Sequence, residues 1–168
     1  MAHPLVVALF PEPSVAAGAV RALHAAGITR DQISIISRTH DEESKLAAAL
    51  DATPGTDIED SPTAARLGEL SGYILAAIAL VLPGIGPIVA AGPLAADLSE
   101  AAGHVAGGIA SALSGAGVEE TRAEALEKAV EGGAVLVAVH TVPSEVATVR
   151  GLFETNGATD LETANWSQ

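Results

Sequence analysis

The chain has 168 residues and a net charge of −13, which argues against a nucleic-acid partner because phosphate binding needs clustered Lys and Arg. Nearly half of it is apolar, yet it holds only two Phe, one Tyr and one Trp, so the apolar mass is Ala, Val, Leu and Ile and favours close approach of backbones over large aromatic packing. With no Cys there is no disulfide, thiolate nucleophile or Cys-based metal site.

The first residues, MAHPLVVALFPEPS, lack a basic leader region and carry too short an apolar run for a secretory signal, so a cytoplasmic protein is expected. Leu5–Phe10 is a continuous, largely β-branched apolar run and reads as a buried strand. Ser14 is placed to cap a helix from Val15 to about Ala26, and Gly27 stops it. Gln32–Ser37 reads as a second strand, closing a first βαβ half over 1–38. The segment 39–61 is a polar, acidic linker in which a short helix, Glu42–Leu50, fits before the loop ATPGTDIEDSP.

From 62 to 117 the chain is apolar and rich in Gly and Pro. Asp60 or Ser61 can cap a helix beginning at Pro62 and running to Leu82. Pro83 stops it, PGIGP makes a tight connection, and a short piece starting at Pro87 is broken at Gly92-Pro93. A third helix then spans Leu94–Leu113 and ends at Gly115–Gly117. The expectation is therefore a hydrophobic helical hairpin. Val118–Glu131 follows as a charged amphipathic helix, Ala134–Val142 as a third strand and Pro143-Ser144 as the opening of a helix to about Thr155. Gly157 stops that helix, and Asp160–Ala164 is a weak last strand before the tail NWSQ.

The two ends of the chain match each other at an offset of 130 residues: Val7 with Val137, Ala8 with Ala138, Pro13 with Pro143, Ser14 with Ser144, Ala17 with Ala147 and Gly27 with Gly157. Each copy runs strand, Pro-Ser, helix, Gly, strand. Two such units build an α+β, ferredoxin-like βαβ + βαβ sandwich, here interrupted by a hydrophobic glycine-zipper helical hairpin, with 118–168 returning to the domain that 1–38 began. Leu5–Phe10 and Ala134–Val142 should lie side by side in its centre. Neither alternates apolar with polar, so both faces of the sheet must be covered, the second by the insertion or by another copy of the chain.

Small residues recur every four positions in the insertion: Gly68 and Gly72, then Gly103, Gly107, Ser111 and Gly115. Residues four apart share a helix face, so these are candidate helix–helix or oligomer contacts. The turn Pro83, Gly84, Ile85, Gly86, Pro87 and Ile88 is the candidate tip for contact with lipid. No charge lies between Leu70 and Ala96, but the Pro and Gly breaks leave no piece long enough to span a bilayer. Asp97, Glu100 and His104 share one stripe, which fits a solvated face better than a membrane span.

Chemistry is sparse. His3 and His140 meet if the central strands pair as expected, which would give at most a weak ion site, and Asp97/Glu100/His104 lacks matching carboxylates on a facing helix. PGIGP lacks the Lys and Ser/Thr of a phosphate loop, and GTDIED lacks calcium-loop spacing. No catalytic residues, cofactor or metal are expected.

The opening LVVALFPEPSVAAGAVRALHAAGITRDQISIISR, the centre LPGIGPIVAAGPLAA and the closing GVEETRAEALEKAVEGGAVLVAVHT together resemble bacterial general stress proteins of the heat-induced, 17M-like type. That resemblance implies a stress protein, cytoplasmic or membrane-associated, without an assigned catalytic centre. The expectation is a non-enzymatic, self-assembling interaction protein. Association of the hairpin with membrane lipid, or ligand sensing between subunits, are the alternatives.

Overall fold

The computed structural model describes residues 3–38, 78–82, 86–94 and 108–166. Its elements are β1 (His3–Phe10), α1 (Pro13–Ala25), β2 (Ile33–Arg38), β3 (Ile78–Leu82), β4 (Gly86–Ala91), α2 (Ile109–Gly115), α3 (Glu120–Glu131), β5 (Val135–His140), α4 (Val146–Thr155) and β6 (Asp160–Trp166). The six strands form one sheet in the order β3-β4-β2-β5-β1-β6, antiparallel at every pairing. The fold is thus mixed α+β.

β1 and β5 sit side by side, as their sequences require. Successive side chains of a strand point to opposite faces. On one face Val6, Ala8, Phe10, Val135, Val137 and Val139 pack under α1 and α4. On the other, Leu5, Val7, Leu9, Leu136 and Ala138 pack under α2 and α3. Phe10 meets Phe153 of α4 edge to face, with ring centroids 5.7 Å apart, a geometry aromatic pairs prefer. The second face is covered by helices of the same chain, one of them, α2, lying within the region 62–117.

The repeat is visible in the backbone. In α1, Gly27 N–H donates to His24 C=O and Ile28 N–H to Leu23 C=O. In α4, Gly157 N–H donates to Glu154 C=O and Ala158 N–H to Phe153 C=O. Both glycines are left-handed, at φ 92° and 91°, so the same two-bond cap closes each copy at the same offset. The pairing of β1 with β5 respects the repeat: Leu5 opposes His140 and Phe10 opposes Val135, and shifting each partner by 130 turns the first pair into the second.

Several expectations are corrected. The helix expected to reach Leu82 is strand β3 over Ile78–Leu82, and the short piece expected from Pro87 is strand β4 over Gly86–Ala91. Over its described residues the expected helical hairpin therefore holds two antiparallel strands, β3 and β4, and the short helix α2. A short apolar run fits a buried strand or a buried helix equally well by periodicity. The ladder offered by β2, which pairs Ile35 with Ala91 and Arg38 with Ile88, decides in favour of the strand. The linker 39–61, and 62–77 of the expected helix, lie outside the described residues. Of the expected helix Leu94–Leu113, the described residues are Leu94, Gly108 and the Ile109–Leu113 part of α2. Ser14 is not the cap of α1: the helix starts at Pro13 with Glu12 as N-cap, and Ser14 Oγ donates to the Glu12 carboxylate at 2.9 Å. The Pro ring presets φ for the first turn. Pro143 and Ser144 lie in a turn before α4. β6 runs on to Trp166, beyond the expected Ala164.

The insertion is seated by one close approach. Gly92 follows β4 at φ 85°, and a Cβ there would collide with Ile33 O and the Ser34 backbone. Beside it, the buried Ser34 Oγ accepts the Leu94 N–H at 3.1 Å. Gly27 has a similar φ but open space where a Cβ would stand. Gly27→Ala should therefore lose only the left-handed penalty of about 1–2 kcal/mol. Gly92→Ala should lose clearly more, because β4 must also move off β2. Urea unfolding of the two variants checks the order.

Candidate functional site

Two regions carry the sequence-predicted site residues. The first is the insertion. Gly68, Gly72, Gly103 and Gly107 lie outside the described residues, as do Pro83, Gly84, Ile85, Asp97, Glu100 and His104. Ser111 and Gly115 are on α2 and both are exposed, while Ile109, Ala112 and Leu113 are the residues that α2 buries. A Cβ on Gly115 would meet nothing within 4 Å. Among the described residues, then, these two small residues do not set the spacing of a helix pair. Gly86 and Pro87 are the first residues of β4, opposite Leu82 and Val81. Ile88 is fully buried in the second core. It is a core residue rather than part of a tip free to meet lipid. Among the described residues no helix is long and apolar enough to cross a membrane.

α2 is fixed from outside the insertion. Glu127 of α3 reaches across and accepts the Ala110 N–H, in the first turn of α2, at 2.8 Å. A helix start has N–H groups without intrahelical partners, and this carboxylate takes one of them. α3 has a cap of its own: Glu119 accepts the N–H groups of Thr121 and Arg122, and these bonds hold its carboxyl below the ordinary carboxylate range. Arg122 then ties α3 to the edge strand β6, with Nε 3.0 Å from Glu162 and an Nη 2.7 Å from Asp160. Arg122 and Asp160 are more than a third exposed and Glu162 nearly so, so the tie orients more than it stabilises.

The second region is the corner where β1, β5 and β6 meet. β1 lies between the other two, with Leu5 opposite His140 and His3 opposite Trp166. His3, His140 and Trp166 therefore share one face, and the expected approach of His3 to His140 is real. The His140 and Trp166 rings lie 3.9 Å apart, tilted by 36°. The His140 carbonyl accepts Gln32 Nε2 at 3.0 Å. Thr141 N–H donates to Pro4 C=O, and its hydroxyl donates to the Glu145 carboxylate at 2.6 Å. His140 Nε2 is buried without a hydrogen-bond partner. Burial, and then the neighbouring His3, lower the imidazole from its ordinary 6.5 to about 4.

Trp166 was not legible as part of this corner, because it follows the weak end of the last strand. The signal that could have found it is the period of two from Ala164 to Trp166, both of which point into the second core. Among the described residues no three His, Cys, Asp or Glu side chains converge as a metal set. No family model, curated protein or solved structure matches the chain.

The role of Glu127 can be separated from its charge. Glu127→Ala should lower stability by about 1 kcal/mol, the usual worth of a helix N-terminal acceptor. Glu127→Gln keeps an acceptor oxygen and should lose less than half of that, as read by urea unfolding at neutral pH.

Proposed function

We propose that this chain is a non-catalytic, self-assembling interaction protein, built on a ferredoxin-like core of β6-β1-β5-β2 with α1 and α4, and that the apolar insertion supplies the assembly surface through strand β3. The observation that carries the reading is the state of the sheet. Both faces of its centre, at β1 and β5, are sheathed by the chain's own helices, and its outermost strand on the β4 side is the uncharged, proline-free run Ile78-Ala-Leu-Val-Leu82. Among the described residues β3 has a ladder partner, β4, on one side only.

An edge strand with no Lys, Pro or bulge presents a row of unpaired N–H and C=O groups that invites a second strand. The sheet is antiparallel throughout, and a second copy of β3 paired antiparallel across a two-fold axis closes the assembly at a dimer, joining two six-stranded sheets into one. The net charge of −13 opposes indiscriminate association and leaves this edge as the route of least repulsion. The resemblance of the opening, central and closing segments to general stress proteins is the ground for reading the protein as stress-associated.

Ala79→Lys places a charge in the edge strand. In sedimentation velocity at micromolar concentration the parent should run as a dimer and the variant as a monomer, with the same far-UV circular dichroism. A parent that is monomeric, or a variant that keeps the parent's mass, sinks the reading.

A further inference from the structure

The corner at His140 performs no step in that assembly, and it lies at the opposite edge of the sheet from β3. Its geometry is unusual in one respect. Most buried polar side-chain atoms find a partner, yet His140 Nε2 is closed off by Trp166 and its surroundings and bonds to nothing. A neutral imidazole tolerates this, since it stacks on an indole as a flat, weakly polar ring. An imidazolium does not, because it carries N–H donors on both nitrogens and needs an acceptor or a carboxylate.

Nothing packed against the ring supplies one among the described residues. From β1 the facing group is His3, a second imidazole whose proximity disfavours a charge on His140. From β6 it is the uncharged Trp166, and Gln32 is neutral and engaged with the His140 carbonyl. The Glu145 carboxylate accepts the Thr141 hydroxyl at 2.6 Å and has no part in the shift of the His140 imidazole. Trp166, in turn, is the last described residue of an outer strand whose ladder partner is β1. Only 8% of its surface is exposed.

We propose that the His140–Trp166 stack is an acid-sensitive latch, fastening the Trp166 end of β6 to the sheet and releasing it when the imidazole takes a proton. The closed corner holds His140 neutral, its imidazole pulled down to about 4 from 6.5. The latch is at full strength above the ordinary imidazole value and weakens as the pH falls from there toward about 4. That interval sets a ceiling of about 300-fold on the gain in the opening equilibrium. The ring is not fully enclosed, so solvent screening makes a gain of roughly tens of fold the expected figure. Release of β6 would bare the outer edge of β1, a strand apolar from Pro4 to Phe10, and so offer a second pairing edge only in acid.

The test is direct because Trp166 is the only tryptophan in the chain. Its emission maximum and acrylamide quenching are followed from about pH 8 to about pH 5, across the range where an imidazole titrates. Far-UV circular dichroism is recorded in parallel. The protein is kept dilute because its isoelectric point is near 4.5. The expected result is a red shift with greater quenching below about pH 6.5, ahead of any loss of helix signal. His140→Phe keeps a stacking ring that cannot be protonated, and it should abolish the transition. An emission maximum that stays constant, identical curves for parent and His140→Phe, or emission and dichroism that change together would each overturn the latch.

Discussion

A strand whose successive side chains are all apolar has no face to give to water, and this chain places two such strands next to each other. From Leu5 to Phe10 on β1 every residue is buried, and from Val135 to Val139 on β5 the same holds. Everything else is arranged around that constraint. α1 and α4 close one side and α2 and α3 the other. Alanines stand among the residues that three of the helices bury, Ala16 and Ala19 on one face and Ala112 and Ala123 on the other. This lets the chain reach a filled interior with only two phenylalanines, both of which lie in the same core.

The parts of the fold legible in the sequence are those with local punctuation. Gly27 and Gly157 mark helix ends because a left-handed residue is required there, and the charged period of Glu120–Glu131 marks α3 unaided. The pairing of β1 with β5 was legible from the repeat and the absence of alternation. What could not be read depends on partners distant in sequence. Ile78–Leu82 and Gly86–Ala91 become strands because β2 stands ready to pair with β4, and no residue inside either run announces it. Glu127 looks like one more exposed acid of α3 until Ala110, 17 residues earlier, is brought beneath it. The stack at His140 needs β1 to lie between two strands whose neighbourhood no short-range pattern encodes.

The two edges of the sheet differ in character. β3 is uncharged along its length, whereas β6 carries Asp160 and Glu162, engaged by Arg122, and ends on the indole against His140. An outer strand with charged residues is a common protection against unwanted pairing, and one without them is the exception that invites it. The proposed pairing edge and the proposed latch thus lie at opposite ends of one continuous ladder, with β4, β2, β5 and β1 between them.

The position of β1 has a consequence for how the protein acquires its shape. Its two ladder partners begin at Val135 and Asp160, so the first strand made is flanked by the last two. Pairings so far apart in sequence carry the loop-closure penalty that slows folding. During synthesis the α1 helix can form early, but β1 has neither of its ladder partners until Val135–His140 has been made. A nascent chain of this kind leaves the ribosome with a sticky apolar ribbon exposed, the situation in which a general chaperone has most to do.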